Sequence, residues 1–124
     1  MVVSPDYRVK LSNTTFTVDL ANNEYLREKG LSGREFLSFD HGMLFIFPTS
    51  GIYSFWMKEM KFSIDIIWID QNWKIVAIKP NASPETYPRS FVSASPAKYV
   101  LEIPAGTADY LSLKAGDIVS YFRR

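Results

Sequence analysis

The chain has 124 residues with 14 basic and 13 acidic side chains, a formal charge of +1; that is long enough for a real core and lacks the basic excess of a dedicated nucleic-acid surface. Apolar residues make up 47% and aromatics 15%, which excludes a disordered chain. There is no cysteine and one histidine, His41, so disulfides, thiol nucleophiles, zinc clusters and a multi-histidine metal site within one chain are excluded.

The length fits one domain over 1–124, with residues 1–7 expected as a flexible N-terminus. No apolar run approaches the ~20 residues needed to span a bilayer. The start, Met1-Val2-Val3-Ser4-Pro5-Asp6, lacks the basic and apolar regions of a signal peptide. The expectation is a cytoplasmic protein, or an exported one whose leader has been removed.

In chain order, residues 8–12 and the alternating Phe16-Thr17-Val18-Asp19-Leu20 read as two strands turned at Asn13-Thr14. Asn22 or Asn23 suits a helix N-cap before a short charged helix over 24–29, and Gly30 suits its stop. Gly42-Met43-Leu44-Phe45-Ile46-Phe47 is an apolar strand ended by Pro48; being apolar on both faces, it is expected to lie centrally with each side covered. Strands follow at 53–58, 64–70 and 74–79, with a tight turn at Gln71-Asn72. Residues 80–88 read as loop, 99–103 as a strand stopped by Pro104, 107–113 as a helical turn or two, and 118–122 as a last strand. Seven to eight short strands with one or two edge helices predict a mainly β domain, a β-sandwich or small barrel.

Five ordered blocks carry a resemblance: Gly30-Leu31-Ser32-Gly33-Arg34, Gly42 to Phe47, Phe55-Trp56-Met57-Lys58, Ile64-Asp65-Ile66-Ile67, and Tyr99-Val100-Leu101-Glu102 before Gly106, with Gly116-Asp117 after them. The chain resembles the "domain of unknown function 192" family of bacterial and archaeal proteins over about residues 16–122. The resemblance implies a compact jelly-roll-like sandwich and no established activity. Many members resemble exported proteins with a leader, so the chain fits a mature form. Ser32, Glu59-Met60 and Ser63 depart from the family's usual methionine, Asn-Thr pair and proline.

Charged residues inside apolar runs supply the site candidates, because such charges are paired or used. Alternation puts Phe55 and Met57 on one face and Trp56 and Lys58 on the other; it sets Asp65 with Ile67 and Ile69, opposite Ile64, Ile66 and Trp68. Asp65 fits either a ligand-binding or acid/base carboxylate, or an ion pair with Lys58 or Arg34; a cationic partner is expected in any case. Trp56 with Lys58 fits a platform for a sugar or an anion, or a core-edge tryptophan with a snorkelling lysine. Arg34, in a glycine-flanked loop, fits a carboxylate or phosphate, or a salt bridge pinning the loop. Glu102 alternates with Val100 and fits a wet strand face, or a carboxylate pair with Asp65 for hydrolysis. His41 beside Asp40 fits a proton shuttle or an exposed turn histidine, and Trp73, next to a hairpin turn, is expected to be exposed.

No nucleophile elbow or phosphate-binding glycine loop is present, and no cofactor, metal, nucleic acid or transmembrane segment is expected. Three functions fit. The first is a non-catalytic binding module for a small polar ligand, a saccharide or an anion, on Arg34, Trp56, Lys58 and Asp65. The second is a hydrolase using Asp65 and Glu102. The third is a structural or partner-binding domain.

Overall fold

A computed structural model describes residues 6–124. The elements are β1 (Tyr7–Leu11), β2 (Thr14–Ala21), α1 (Glu24–Lys29), β3 (His41–Gly51), β4 (Ser54–Trp56), β5 (Ile64–Ile69), β6 (Ile75–Ala82), β7 (Ser90–Val92), β8 (Ala97–Pro104), α2 (Thr107–Tyr110) and β9 (Val119–Arg123). Most strands join one seven-stranded sheet in the order β6-β5-β8-β3-β2-β1-β9, and β4 pairs with β7 in a separate ribbon. The large sheet curls until its ends approach: Val119 N–H donates to Trp73 O at 2.8 Å, and Ile75 N–H to Asp117 O at 2.9 Å.

Alternation assigns each strand's side chains to two apolar layers. One holds Val9, Phe16, Leu44, Ile67, Ile69 and Leu101 on the concave side of the curl. The other holds Met43, Phe45, Ile64, Ile66, Trp68 and Val100, and is closed over by Leu31, Met57 and Phe91. β3, apolar on both faces, does lie centrally between β2 and β8. β2 and β3 run parallel, which requires a crossover, and α1 lies within it.

α1 forms as its sequence predicts. Asn23 Oδ1 accepts from Leu26 N–H at 2.8 Å, and Gly30 ends the helix with φ 51°. A Cβ on Gly30 would lie 3.2 Å from the Phe45 ring, so close packing as well as backbone geometry requires glycine there.

Several expectations need correction. Of the expected flexible terminus, residues 1–5 lie outside the described residues, whereas Tyr7 starts β1 and stacks on Tyr121. Prolines do not end strands where expected. β3 runs through Pro48 because its pairing with β8 breaks after Ile46, and β6 runs through Pro80 because it is an edge strand. The predicted strand at 53–58 shrinks to three residues, and its partner β7 falls where the sequence shows no strand pattern. At the 70–74 turn the left-handed residue is Trp73 (φ 62°), and Asp70 Oδ1 caps the N–H groups of Asn72 and Lys74. Trp73 is half-buried, stacked 3.7 Å from Tyr99, rather than exposed.

Candidate functional site

Asp65 is fully buried and points into the concave layer, paired across β8 with Ile103. Its partners are three backbone amides and no cation. Asn81 N–H and Gly106 N–H donate to Oδ1 at 2.8 and 3.2 Å, and Ala108 N–H to Oδ2 at 2.8 Å. Two of these lie at the start of α2, where free N–H groups and the helix dipole favour a carboxylate. The expected ion pair with Lys58 or Arg34 is absent; three backbone donors satisfy the buried carboxyl group instead. Asp65 is thus a tie between β5, the end of β6 and α2.

Glu102 faces the other way. It pairs with Met43 on β3 and Ile66 on β5, so its side chain shares their layer. Strand alternation therefore sends the two carboxyl groups to opposite faces of one sheet, and they cannot act as a hydrolytic pair. The wet face expected for Glu102 is also wrong: the residue is only 5% exposed. Burial, with no compensating hydrogen bond or charge among the described residues, pushes its pKa from 4.5 up to about 8. At neutral pH it carries a proton.

What little of Glu102 is exposed opens onto a cavity of about 430 Å³ between α1, the end of β3 and β4. Its walls are aromatic and locked. Phe47 stacks on Tyr53 at 3.7 Å, and Phe55 meets Phe45 edge-on at 5.0 Å. The Tyr53 hydroxyl donates to Thr49 O, and the buried Trp68 indole N–H donates to Tyr53 O at 3.0 Å. Arg27, from α1, lies over Phe47 at 5.4 Å while Nη1 donates to Ile46 O at 2.9 Å. A neighbouring depression shares Glu28, Lys29, Ser32 and Trp56 with the cavity and adds Lys58 and Glu59. The segments on either side are tied by Ser32 Oγ donating to Lys58 O and Gly33 N–H to Glu59 O, both at 2.9 Å.

The remaining candidates divide. Trp56 is 48% exposed on the cleft, with Lys58 Nζ 5.7 Å from its ring, as the alternation implied. Arg34 instead pairs with Asp19 at 3.1 Å on the surface, and it lines neither cleft region. His41 is exposed, with Nδ1 2.8 Å from Asp40. Sequence reasoning missed Arg27 and Phe47. The alternation of Met43, Phe45 and Phe47 signals which face they share; that α1 would cover that face is a tertiary fact with no local signal. Among the described residues, no His, Asp or Glu cluster fit for a metal occurs, and no helix is long and apolar enough to cross a membrane.

The same architecture recurs in known proteins. A crystal structure of a candidate transcription regulator from Sinorhizobium meliloti is similar, with TM-score 0.86 and 32% identity over 94% of this chain and 92% of that one. A protein of unknown function from Novosphingobium aromaticivorans matches at TM-score 0.85 and 30% identity, over 94% of this chain and 83% of that one. A UPF0127 protein of Thermococcus sibiricus is 30% identical over 86% of this chain and 67% of its own length. A second, from Thermococcus kodakarensis, is 29% identical over 66% of this chain, and the match spans about half of that protein (51%). The model of the DUF192 family, described as "Uncharacterized ACR", matches residues 7–121. The chain belongs to the DUF192 family.

Proposed function

We propose that this domain is a non-catalytic binding module whose small polar ligand, a saccharide or an anion, sits in the cleft between α1 and β4. One observation carries the reading: an unpaired, buried carboxyl group opens onto a cavity whose aromatic walls are already locked. A volume of about 430 Å³ lies in the usual range for small-ligand pockets. Trp56 and Lys58 keep the role that the sequence suggests for them. Glu102 and Arg27 take the places of Asp65 and Arg34. A hydrolase built on Asp65 and Glu102 has no support, because the two acids face opposite sides of the sheet.

The test is a thermal-shift screen of sugars, organic acids and phosphates on the wild type and Trp56→Ala. A ligand at 100 times its Kd stabilises by about 2.7 kcal/mol. The expected result is stabilisation by at least one class, lost in Trp56→Ala without loss of the fold. No stabilisation, or stabilisation indifferent to Trp56, defeats the reading.

A second reading, docking to a protein partner, draws on Phe36 and Phe39, which are 72% and 84% exposed on one loop. The description of the Sinorhizobium neighbour adds duplex DNA to the screen. A salt-sensitive shift with DNA alone would favour that function instead.

A further inference from the structure

Resting on the binding-module reading of this cleft, we propose that its ligand is a small organic anion, a monocarboxylate with an apolar or aromatic body, held between the Arg27 guanidinium and the carboxyl group of Glu102. Three features converge on that chemistry. The first is Arg27. Its Nη1 is engaged with Ile46 O, which leaves the rest of its five donors for a ligand or solvent. A guanidinium fork matches a carboxylate in two parallel hydrogen bonds. This is the role that sequence suggests for Arg34, which the surface pair with Asp19 occupies instead.

The second feature is the sign of the cleft. Arg27, Lys29 and Lys58 face Glu28 and Glu59, three cations against two anions, while Glu102 keeps its proton. A protonated carboxyl donates a short, strong hydrogen bond to a carboxylate. An ammonium ligand would have to displace that proton and sit beside the Arg27 charge. The third feature is the wall itself: Phe45, Phe47, Tyr53 and Phe55 line the cavity with apolar surface suited to a flat or aliphatic body.

The titratable groups that line the cavity with Glu102, or flank it on the sheet, are these. α1 contributes Arg27, Glu28 and Lys29, and the turn before β4 contributes Tyr53. β3 and β5 place Met43 and Ile66 beside it, neither of which titrates. Along the same cross-sheet row, Asp19 on β2 is paired to Arg34, and Lys79 on β6 lies over the Phe91 ring at 5.0 Å. Glu102, its pKa pushed up to about 8 by burial, sets the pH response. Below about pH 8 it is a neutral donor; above, it becomes an anion that repels the ligand. Anion affinity is therefore flat below about 8 and falls tenfold per pH unit above it.

The experiment titrates the full chain with benzoate, benzyl alcohol and benzylammonium, matched in shape and differing in charge, following tryptophan fluorescence between about pH 6 and 9. Benzoate is expected to bind tightest below pH ~8 and to weaken tenfold per unit above. Glu102→Gln, neutral and of like volume, should keep benzoate binding and abolish the fall. Arg27→Gln, on the rim of the cleft, should weaken benzoate roughly tenfold or more and leave benzyl alcohol unchanged. If benzylammonium or benzyl alcohol binds tightest, or benzoate affinity holds through pH ~9, the anion assignment is overturned while the binding-module reading stands. If none of the three binds and the wider ligand screen is also silent, both fail.

Discussion

Asp65 and Glu102 stand on neighbouring strands of one sheet, both buried in apolar surroundings, and only one of them is finished. Asp65 closes three hydrogen bonds with backbone amides and faces the concave layer. Glu102 faces the opposite layer, finds no charge or donor among the described residues, and opens onto an aromatic cavity. Burial makes an acid expensive in either place; partners decide what it is for. A carboxylate saturated by backbone N–H groups is a joint. A buried carboxyl that makes no hydrogen bond within the chain and borders a cavity holds no element in place; on the proposed reading it recognises the ligand.

The largest effect should come from removing the joint. Asp65→Ala strands three backbone donors, that of Ala108 buried and those of Asn81 and Gly106 partly so, at up to roughly 1–3 kcal/mol each. That is a large share of the roughly 5–15 kcal/mol that a domain has. Urea unfolding should show a loss of several kcal/mol or failure to fold, with Asp65→Asn milder because its amide oxygen still accepts. A loss under about 1 kcal/mol would mean that Asp65 is no tie at all and would erase the contrast with Glu102.

Glu102→Gln should move stability in the opposite direction. Between pH 4.5 and about 8 the folded chain keeps a proton that the unfolded chain has released. The folded state binds more protons there, so wild-type stability falls as pH rises across that window and levels off above it. The gap sets a ceiling of roughly 5 kcal/mol on the decline. A glutamine amide in place of the carboxyl cannot titrate, so the variant's unfolding free energy should stay nearly level across the window and exceed the wild type's at pH ~8. Parallel pH profiles for the two proteins would show that Glu102 ionises freely and has a partner after all.

Much of this contrast is legible in the residues alone, and the illegible part has a physical cause. Alternation over Ile64 to Ile69 assigns Asp65 the correct face, and Asn23 with Gly30 brackets α1. Trp56 at the end of β4 and Lys58 in the turn after it are likewise both exposed. The partners of each acid are not legible. Asp65's donors at Gly106 and Ala108 lie 41 and 43 residues away, and backbone amides leave no mark in side-chain chemistry. Glu102's alternation with Val100 is plain, but its burial depends on α1 and Leu31 folding over that face. β7 escapes notice because three residues give too short an alternation to stand out in a loop.

The smallest expected effect belongs to a third acid, and it sharpens the comparison from outside the core. Asp19 shares a cross-sheet row with Glu102, two strands away, yet it holds the cationic partner that the sequence suggests for Asp65. The Arg34–Asp19 side chains are 42% and 63% exposed, so water and salt already screen the pair. Arg34→Ala should cost about 0–1 kcal/mol, shrinking further in high salt. It should leave ligand binding in the α1–β4 cleft untouched, since Arg34 does not line it. Chemical denaturation at low and high salt measures the first, and the benzoate titration the second. A large stability loss would mean that the 30–34 loop depends on this ion pair rather than on its backbone ties to Lys58 and Glu59. A loss of benzoate affinity would carry the anion site out of the Glu102 cavity and onto the loop.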